Sequence, residues 1–257
     1  MALISVAVFD TEENQRSEYT KQTLECLRDT VDFDQHELII VDNNSCEKTK
    51  HIISEFLKHT NTNIETIELS ENVGTAKAIN RAWRHRQSNQ HLIKMDNDCI
   101  VNYSGWVDEM EEAIERDTQI GILGLKRKDL LENPHRTDQF KSTLRMLPHQ
   151  KGESWIIVED VDHVIGTCQM YNYRLIDKIG GLMQPGLYGF DDTLAGVRCK
   201  LAGFKNSFLP HIDIDHIDTK ETPYWQTKRD LAKQDMAMFN AMKDRMIRGE
   251  QSIKVEL

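Results

Sequence analysis

The chain has 257 residues, 29% charged and 39% hydrophobic, with a formal net charge of −10. That balance fits a soluble globular protein with a substantial core, and its acidic excess argues against general nucleic-acid binding, which needs a basic face. No run reaches the ~20 apolar residues of a membrane span, the start Met-Ala-Leu-Ile-Ser-Val lacks a basic leader region, and five widely spaced cysteines without a Cys-x-x-Cys read as reduced thiols of a cytosolic protein.

Residues 3–9 are a continuous apolar run, predicted as the first strand, and leave through the polar loop Asp10-Thr-Glu-Glu-Asn14. Residues 17–27 carry apolar side chains at helical spacing. Residues 37–41 are a second strand, ending in the turn residues Asp42-Asn-Asn-Ser45. Residues 47–58 put Ile52, Ile53, Phe56 and Leu57 on one helical face. A third strand over 64–69 exits at Ser70-Glu-Asn-Val-Gly74, and Thr75 is placed to cap the next helix, with Ala76, Ile79, Ala82 and Trp83 inward. The fourth strand, 92–95, stops abruptly at Asp96-Asn97-Asp98. Four alternations of strand and helix imply a parallel sheet with right-handed crossovers. The loops at Asp10, Asp42, Asn72 and Asp96 then line one cleft, at the strand ends where open α/β sheets bind ligands. Neither Gly-x-Gly-x-x-Gly nor a phosphate-loop lysine motif is present, so a dinucleotide fold or a P-loop enzyme is disfavoured.

Residues 106–116 read as an amphipathic helix and 120–125 as a strand. The polar stretch 126–152 has no period and is expected as a loop over the active site. Short strands follow at 155–158 and 161–170, then a helix over 173–179 ended by Gly180-Gly181. Residues 182–189 form a loop, 191–201 a helix, 204–209 a strand and 223–248 a long, charged, Met-rich helix.

Two carboxylates at the end of a buried strand repel each other unless something offsets their charge. A hard divalent cation does so, completing its shell with phosphate and water oxygens. Here the chain resembles family 2-type glycosyltransferases of the GT-A fold, over about residues 3–216. Val41-Asp-Asn-Asn-Ser45 is similar to the family's loop after strand two, and Glu71-Asn-Val-Gly-Thr-Ala-Lys-Ala-Ile-Asn80 to its Asn-x-Gly-x-Ala-x-Ala-x-Asn segment. Asp96-Asn-Asp98 is similar to its Asp-x-Asp. Gly180-Gly181, Gly189-Phe-Asp-Asp192, Arg198 and Ala202-Gly-Phe204 are similar to its closing block.

The resemblance implies an α/β GT-A fold, a Rossmann-like, mostly parallel sheet flanked by helices. Residues 1–100 become the nucleotide-sugar-binding half, 101–222 the acceptor-binding and catalytic half of the same domain, and 223–257 the terminal helix. It implies a metal-dependent, inverting transfer of a sugar from a nucleoside-diphosphate donor, a UDP-sugar foremost. The acceptor is a hydroxyl on a glycan, a lipid-linked or another molecule. Retaining transfer, or an inactive sugar-nucleotide-binding module, is the alternative. Mn²⁺ or Mg²⁺ is expected on Asp98, with Asp96 and a late histidine. His216 is the first choice, although ideal strand alternation puts it opposite His211, Asp213 and Asp215, and His211 is the alternative. The donor contacts implied are Phe9, Asp10, Thr11, Asp42, Asn72, Lys77, Asp96 and Asn97. Asp192 is expected as the base that takes the acceptor's proton and Asp191 as the residue that orients the acceptor, with the two roles exchangeable. Tyr188, Trp155 and Trp225 are candidate sugar platforms, Tyr188 preferred. The terminal helix could meet a membrane surface or a second copy of the chain.

Overall fold

A computed structural model of the chain describes residues 1–60, 63–131, 142–149, 152, 154–218 and 223–257. Strands β1 (Ala2–Val8), β2 (Glu37–Asp42), β3 (Ile64–Glu68) and β4 (His91–Asp96) lie parallel in the order β3-β2-β1-β4. Helices α1 (Ser17–Thr30), α2 (Glu47–Lys58) and α3 (Thr75–Trp83) form the crossovers. Every strand and helix expected in this half is present. Strand β1 serves two cores. Ile4, Val6 and Val8 pack with Leu24 and Leu27 of α1 and with Ile53 and Phe56 of α2. Leu3 packs on the other face with Ile79, Ala82 and Trp83 of α3. A strand covered on both sides favours a near-continuous apolar run, which is what residues 3–9 show.

The sheet continues past β4 in the order β9-β6-β10-β8-β7. These strands are β6 (Ile120–Arg127), β7 (Ser142–Met146), β8 (Ile157–Val161), β9 (Cys168–Tyr171) and β10 (Lys205–His216), and the two-residue β5 (Cys99–Ile100) pairs with β10 off the main path. Strand β9 is antiparallel to β4 and β6, while β6 and β10 are parallel. Helices α4 (Trp106–Arg116), α5 (Lys128–Leu131), α6 (Tyr173–Ile179), α7 (Asp191–Leu201) and α8 (Pro223–Ile247) complete the fold. Helix α4 packs on the core of α1 and α2, and α6 and α7 on that of α3.

Four expectations need correction. Thr75 does not cap α3. The cap position is Gly74 at φ +84°, and the orphan N–H of Ala76 donates to Gln184 Oε1 at 3.0 Å. Gly74 is required there, because a Cβ would lie 3.1 Å from the Leu187 backbone. The stretch 126–152 is not wholly loop: α5 and β7 lie within it, and β7 pairs antiparallel with β8 at the sheet's far edge. Edge strand β7 is largely exposed and has no apolar period to read. Residues 132–141, 150–151 and 153, where the loop over the site was expected, lie outside the described residues. The strands expected at 155–158 and 161–170 are displaced to β8 and β9. The segment between them leaves the sheet to bring Gly166 beside Lys94 and Asp192, where a Cβ would sit 3.0–3.1 Å from both side chains.

Finally, 204–209 and 210–216 are one strand. Pro210 is accommodated because the β6–β10 register shifts between Leu209 and Asp213. After that shift β10 turns to β5, pairing His216 with Cys99, and Ile217 N–H donates to the Asp98 carbonyl at 3.0 Å. That pairing carries His216 to the end of β4. Arg198, part of the motif block, is buried and donates to the carbonyls of Ile179, Gly181 and Ile253. It ties α6, α7 and the C-terminal tail together.

Candidate active site

A cleft of about 480 Å³ opens at the carboxyl ends of β1 and β4, within the range of small-ligand sites. Phe9, Asp96, Asn97 and Asp98 line one side, and Asp191, Asp192 and His216 also face it. The two halves of the expected site therefore meet in one cavity. Asp10, Thr11, Asp42, Asn72 and Lys77 stand outside its wall.

Asp10 is fully buried beneath the floor. It accepts hydrogen bonds from the hydroxyls of Thr20 (2.5 Å) and Thr49 (3.2 Å) and from Asn97 Nδ2 (3.0 Å). Burial outweighs these donors and pushes its pKa up. Asn97 also donates to Thr20 Oγ1 at 2.7 Å, so its amide points down into this brace. Thr11 closes a turn with Asn14. Asp42 accepts the Ser45 N–H at 2.7 Å, and its other oxygen is buried with no hydrogen-bond partner among the described residues. Asn72 accepts from Asn43 Nδ2 and from the Gly74 N–H, both at 2.9 Å, so it builds the loop before α3. Lys77 is exposed on α3.

Around Asp98 the structure brings together five charged or ionisable groups from distant parts of the chain. Arg16 Nη2 lies 2.5 Å and His216 Nε2 3.4 Å from the same oxygen, Asp98 Oδ2. Arg16 Nη1 lies 2.7 Å from Asp218 Oδ2, which Lys228 Nζ also meets at 2.8 Å. Burial alone would raise the Asp98 pKa. The His216 imidazole and the Arg16 guanidinium overcome it and hold the carboxyl well below the usual range. His211, by contrast, lies on the surface against Glu109, and Asp213 and Asp215 face Lys128.

The second group is organised by Lys94, the one charged residue of β4's buried run. Its Nζ meets Asp96 Oδ1 at 2.7 Å, Asp191 Oδ2 at 3.5 Å and the Gly166 carbonyl at 2.6 Å. Asp192 Oδ2 accepts the Gly166 N–H at 3.0 Å and stands 3.5 Å from His163 Nε2, while its Oδ1 accepts the Thr193 N–H at 2.6 Å. The two adjacent carboxylates differ. Burial drives Asp191 up against the pull of Lys94. Asp192 is held down by its pairing with His163 in spite of burial. Tyr188, Tyr224, Trp225 and Lys228 form a further wall, with the Lys228 ammonium 4.9 Å from the centre of the Tyr224 ring. Trp155 is 60% exposed and not part of this wall.

Arg16, Lys94, His163, Asp218 and Lys228 were missed by sequence reasoning. Only Lys94 left a signal: a lysine inside a strand buried on both faces must meet an anion or carbonyls.

Asp98 and His216 offer a carboxylate oxygen and an imidazole nitrogen, donors that Mn²⁺ and Mg²⁺ accept. Asp218 Oδ1 nearby is buried without a hydrogen-bond partner among the described residues. These residues fit a divalent ion provided that Arg16 gives up Asp98. Ligating atoms of His36, Asp108 and Glu111 also converge within 4.8 Å, at the opposite edge of the sheet. There His36 Nδ1 already accepts the Ala2 N–H and its Nε2 meets Asp108, so the imidazole has no lone pair to give. Among the described residues no helix is long and apolar enough to cross a membrane.

A mostly parallel sheet flanked by helices, with this cleft at its strand ends, is the GT-A fold of glycosyltransferases. The chain belongs to glycosyltransferase family 2, whose model matches residues 12–180, more than half its length. No curated protein matches it. Among solved structures it is similar to a mannosyltransferase, PcManGT, from Pyrobaculum calidifontis in complex with GDP-Man and Mn²⁺. That pair has 16% identity and a TM-score of 0.69, over 98% of this chain and 65% of that one. It is similar to S. aureus TarS 1-349 in complex with UDP at 16% identity and a TM-score of 0.58, over 86% and 62% of the two chains. It is also similar to GalNAc-T7 with UDP, GalNAc and Mn²⁺, at 13% and 0.64, over 86% and 44%. The chain thus spans less than two thirds of the length of each.

Proposed function

We propose that the chain transfers a sugar from a nucleoside-diphosphate donor to an acceptor hydroxyl with inversion at the anomeric carbon, assisted by a divalent metal. The observation that carries this reading is that Asp98, His216, Asp191 and Asp192 all line one cleft. Asp98 and His216 hold Mn²⁺ or Mg²⁺, with Asp96 beside them. The ion supplies charge neutralisation for the departing diphosphate. Asp192, oriented by the Gly166 and Thr193 N–H groups, takes the acceptor proton as the hydroxyl oxygen bonds to the anomeric carbon and the bond from that carbon to the phosphate oxygen breaks. One base on the face opposite the leaving group makes the displacement in-line and the product inverted. Phe9 lies against the donor, and Tyr188 and Trp225 offer their rings to the acceptor. Asp42, whose second oxygen is buried without a hydrogen-bond partner among the described residues, and Asn72 serve the nucleotide from the adjoining loops, and Lys77 from the first turn of α3. A UDP-sugar is the first donor to test. GDP-Man belongs in the same panel, since the Pyrobaculum structure holds it.

A second reading exchanges the carboxylates. Asp191, raised by burial, is the stronger proton acceptor of the two. A donor-panel thermal shift with and without Mn²⁺, followed by NMR of the product anomer, tests the proposal. Asp98→Ala is expected to abolish the metal-dependent shift. Asp192→Asn is expected to keep donor binding and lose roughly 10²–10⁴-fold in transfer rate. Normal transfer by Asp192→Asn with loss in Asp191→Asn would establish the exchanged roles. A retained anomeric configuration would end the in-line reading.

A further inference from the structure

Arg16 stands immediately before α1, its backbone N–H donating to Asn14 Oδ1 at 3.2 Å, and its side chain is only 5% exposed. The guanidinium spans Asp98 at 2.5 Å and Asp218 at 2.7 Å. The rings of Tyr19 and Tyr224 flank it, each centred 5.4 Å from its carbon. Lys228 meets Asp218 at 2.8 Å. Two carboxylates therefore face two fixed cations. Divalent sites tune affinity through the charge of their ligands, and here that charge is already spent. The contested atom is also specific: Asp98 Oδ2 is the oxygen that both Arg16 and His216 approach.

We propose that Arg16 is the internal counter-ion of the metal site. In the free protein it holds Asp98, and a divalent ion reaches the Asp98–His216 pair only by displacing the guanidinium. A nucleoside diphosphate brings the negative charge that makes this exchange favourable, because it adds oxygen ligands for the ion and gives Arg16 another anion in the same cleft. Metal alone then binds weakly, and metal and nucleotide bind together. This rests on the metal-assisted reading above and deepens it.

The test titrates Mn²⁺ alone, then Mn²⁺ with UDP, into wild-type protein and Arg16→Gln, counting free Mn²⁺ by electron paramagnetic resonance. The wild type is expected to bind Mn²⁺ alone no more tightly than millimolar. Arg16→Gln should bind it roughly tenfold more tightly or better, since removing the guanidinium strips Asp98 of its buried cation, while Lys228 still holds Asp218. Asp98→Asn added to Arg16→Gln should erase the gain. UDP should tighten Mn²⁺ binding by the wild type more than by Arg16→Gln. Micromolar binding of one Mn²⁺ by the nucleotide-free wild type, or no gain in Arg16→Gln, overturns the inference and leaves the metal-assisted reading intact. Failure of both proteins to bind Mn²⁺ even with UDP overturns that reading instead, and this inference with it. Should Arg16→Gln not fold, nitrogen-15 NMR of the wild-type arginine side chains decides the matter. The Arg16 Nε–H signal is expected to stay in place with millimolar Mg²⁺ and to move with Mg²⁺ plus UDP. A move with Mg²⁺ alone refutes the ordering.

Discussion

Replacing Lys94 by methionine keeps the buried stem and removes only the charge. In the wild type the ammonium serves Asp96 at 2.7 Å, the Gly166 carbonyl at 2.6 Å and Asp191 at 3.5 Å. Leaving the carbonyl without its charged donor costs about 1–3 kcal/mol. Asp191 is buried, and an uncompensated buried charge costs about 3 kcal/mol or more, although Asp191 can limit this by taking up a proton. The Asp96 side chain is 35% exposed, so water replaces Lys94 there and this pair adds less than ~1 kcal/mol. The sum is about 4 kcal/mol, or roughly 10 °C in Tm for a chain of this size. Differential scanning calorimetry measures it. The pH dependence separates this cause from a packing defect. Asp191 already titrates above its ordinary value because burial outweighs Lys94, and without Lys94 it titrates higher still. A folded-state pKa above the unfolded one stabilises at low pH, and that stability is lost as pH rises through the folded value. The deficit of Lys94→Met should therefore be smallest near ~pH 4 and grow toward ~pH 7.5. A Tm within ~2 °C of wild type, or a deficit that does not change with pH, would refute the reasoning.

Gly166→Ala puts a Cβ 3.0 Å from Lys94 Nζ and 3.1 Å from Asp192 Cβ. It should cost about 1–3 kcal/mol and slow transfer more than it weakens donor binding, as read from thermal melts and a kcat/KM split. His163→Gln removes the partner that holds Asp192 down. If Asp192 is the base, the acid limb of the pH–rate profile should move to higher pH, and an unmoved limb argues for Asp191. Arg198→Met leaves the Gly181 and Ile253 carbonyls without this donor, while the Ile179 carbonyl keeps only the Val255 N–H at 2.8 Å. It should destabilise by about 2 kcal/mol or more, seen in urea denaturation as a lower midpoint at unchanged slope.

The sequence showed one half of the site's charge and concealed the other. Asp96, Asp98, Asp191 and Asp192 could be read because each sits at the end of a strand or the start of a helix, where a local pattern fixes its position. His216 was placed among them in spite of the strand alternation, and the bulge after Leu209 with the β5 pairing supplies the route that an ideal strand does not. The donor-side residues fared differently. Asp10 looks like a cleft residue because it follows a strand, yet α1 and α2 bring the hydroxyls of Thr20 and Thr49 onto it and bury it.

The cations left almost no trace, for a physical reason. A lysine or arginine reaches its partner along a flexible arm, so its place depends on how helices pack and not on its neighbours in sequence. Arg16 comes from the turn before α1, Lys228 from the terminal helix, and Lys94 from a strand whose apolar reading masks its charge. A motif of carboxylates therefore predicts where a divalent ion could go, but it cannot tell whether the fold has already put a guanidinium there. In this chain it has: the Arg16 guanidinium lies 2.5 Å from Asp98.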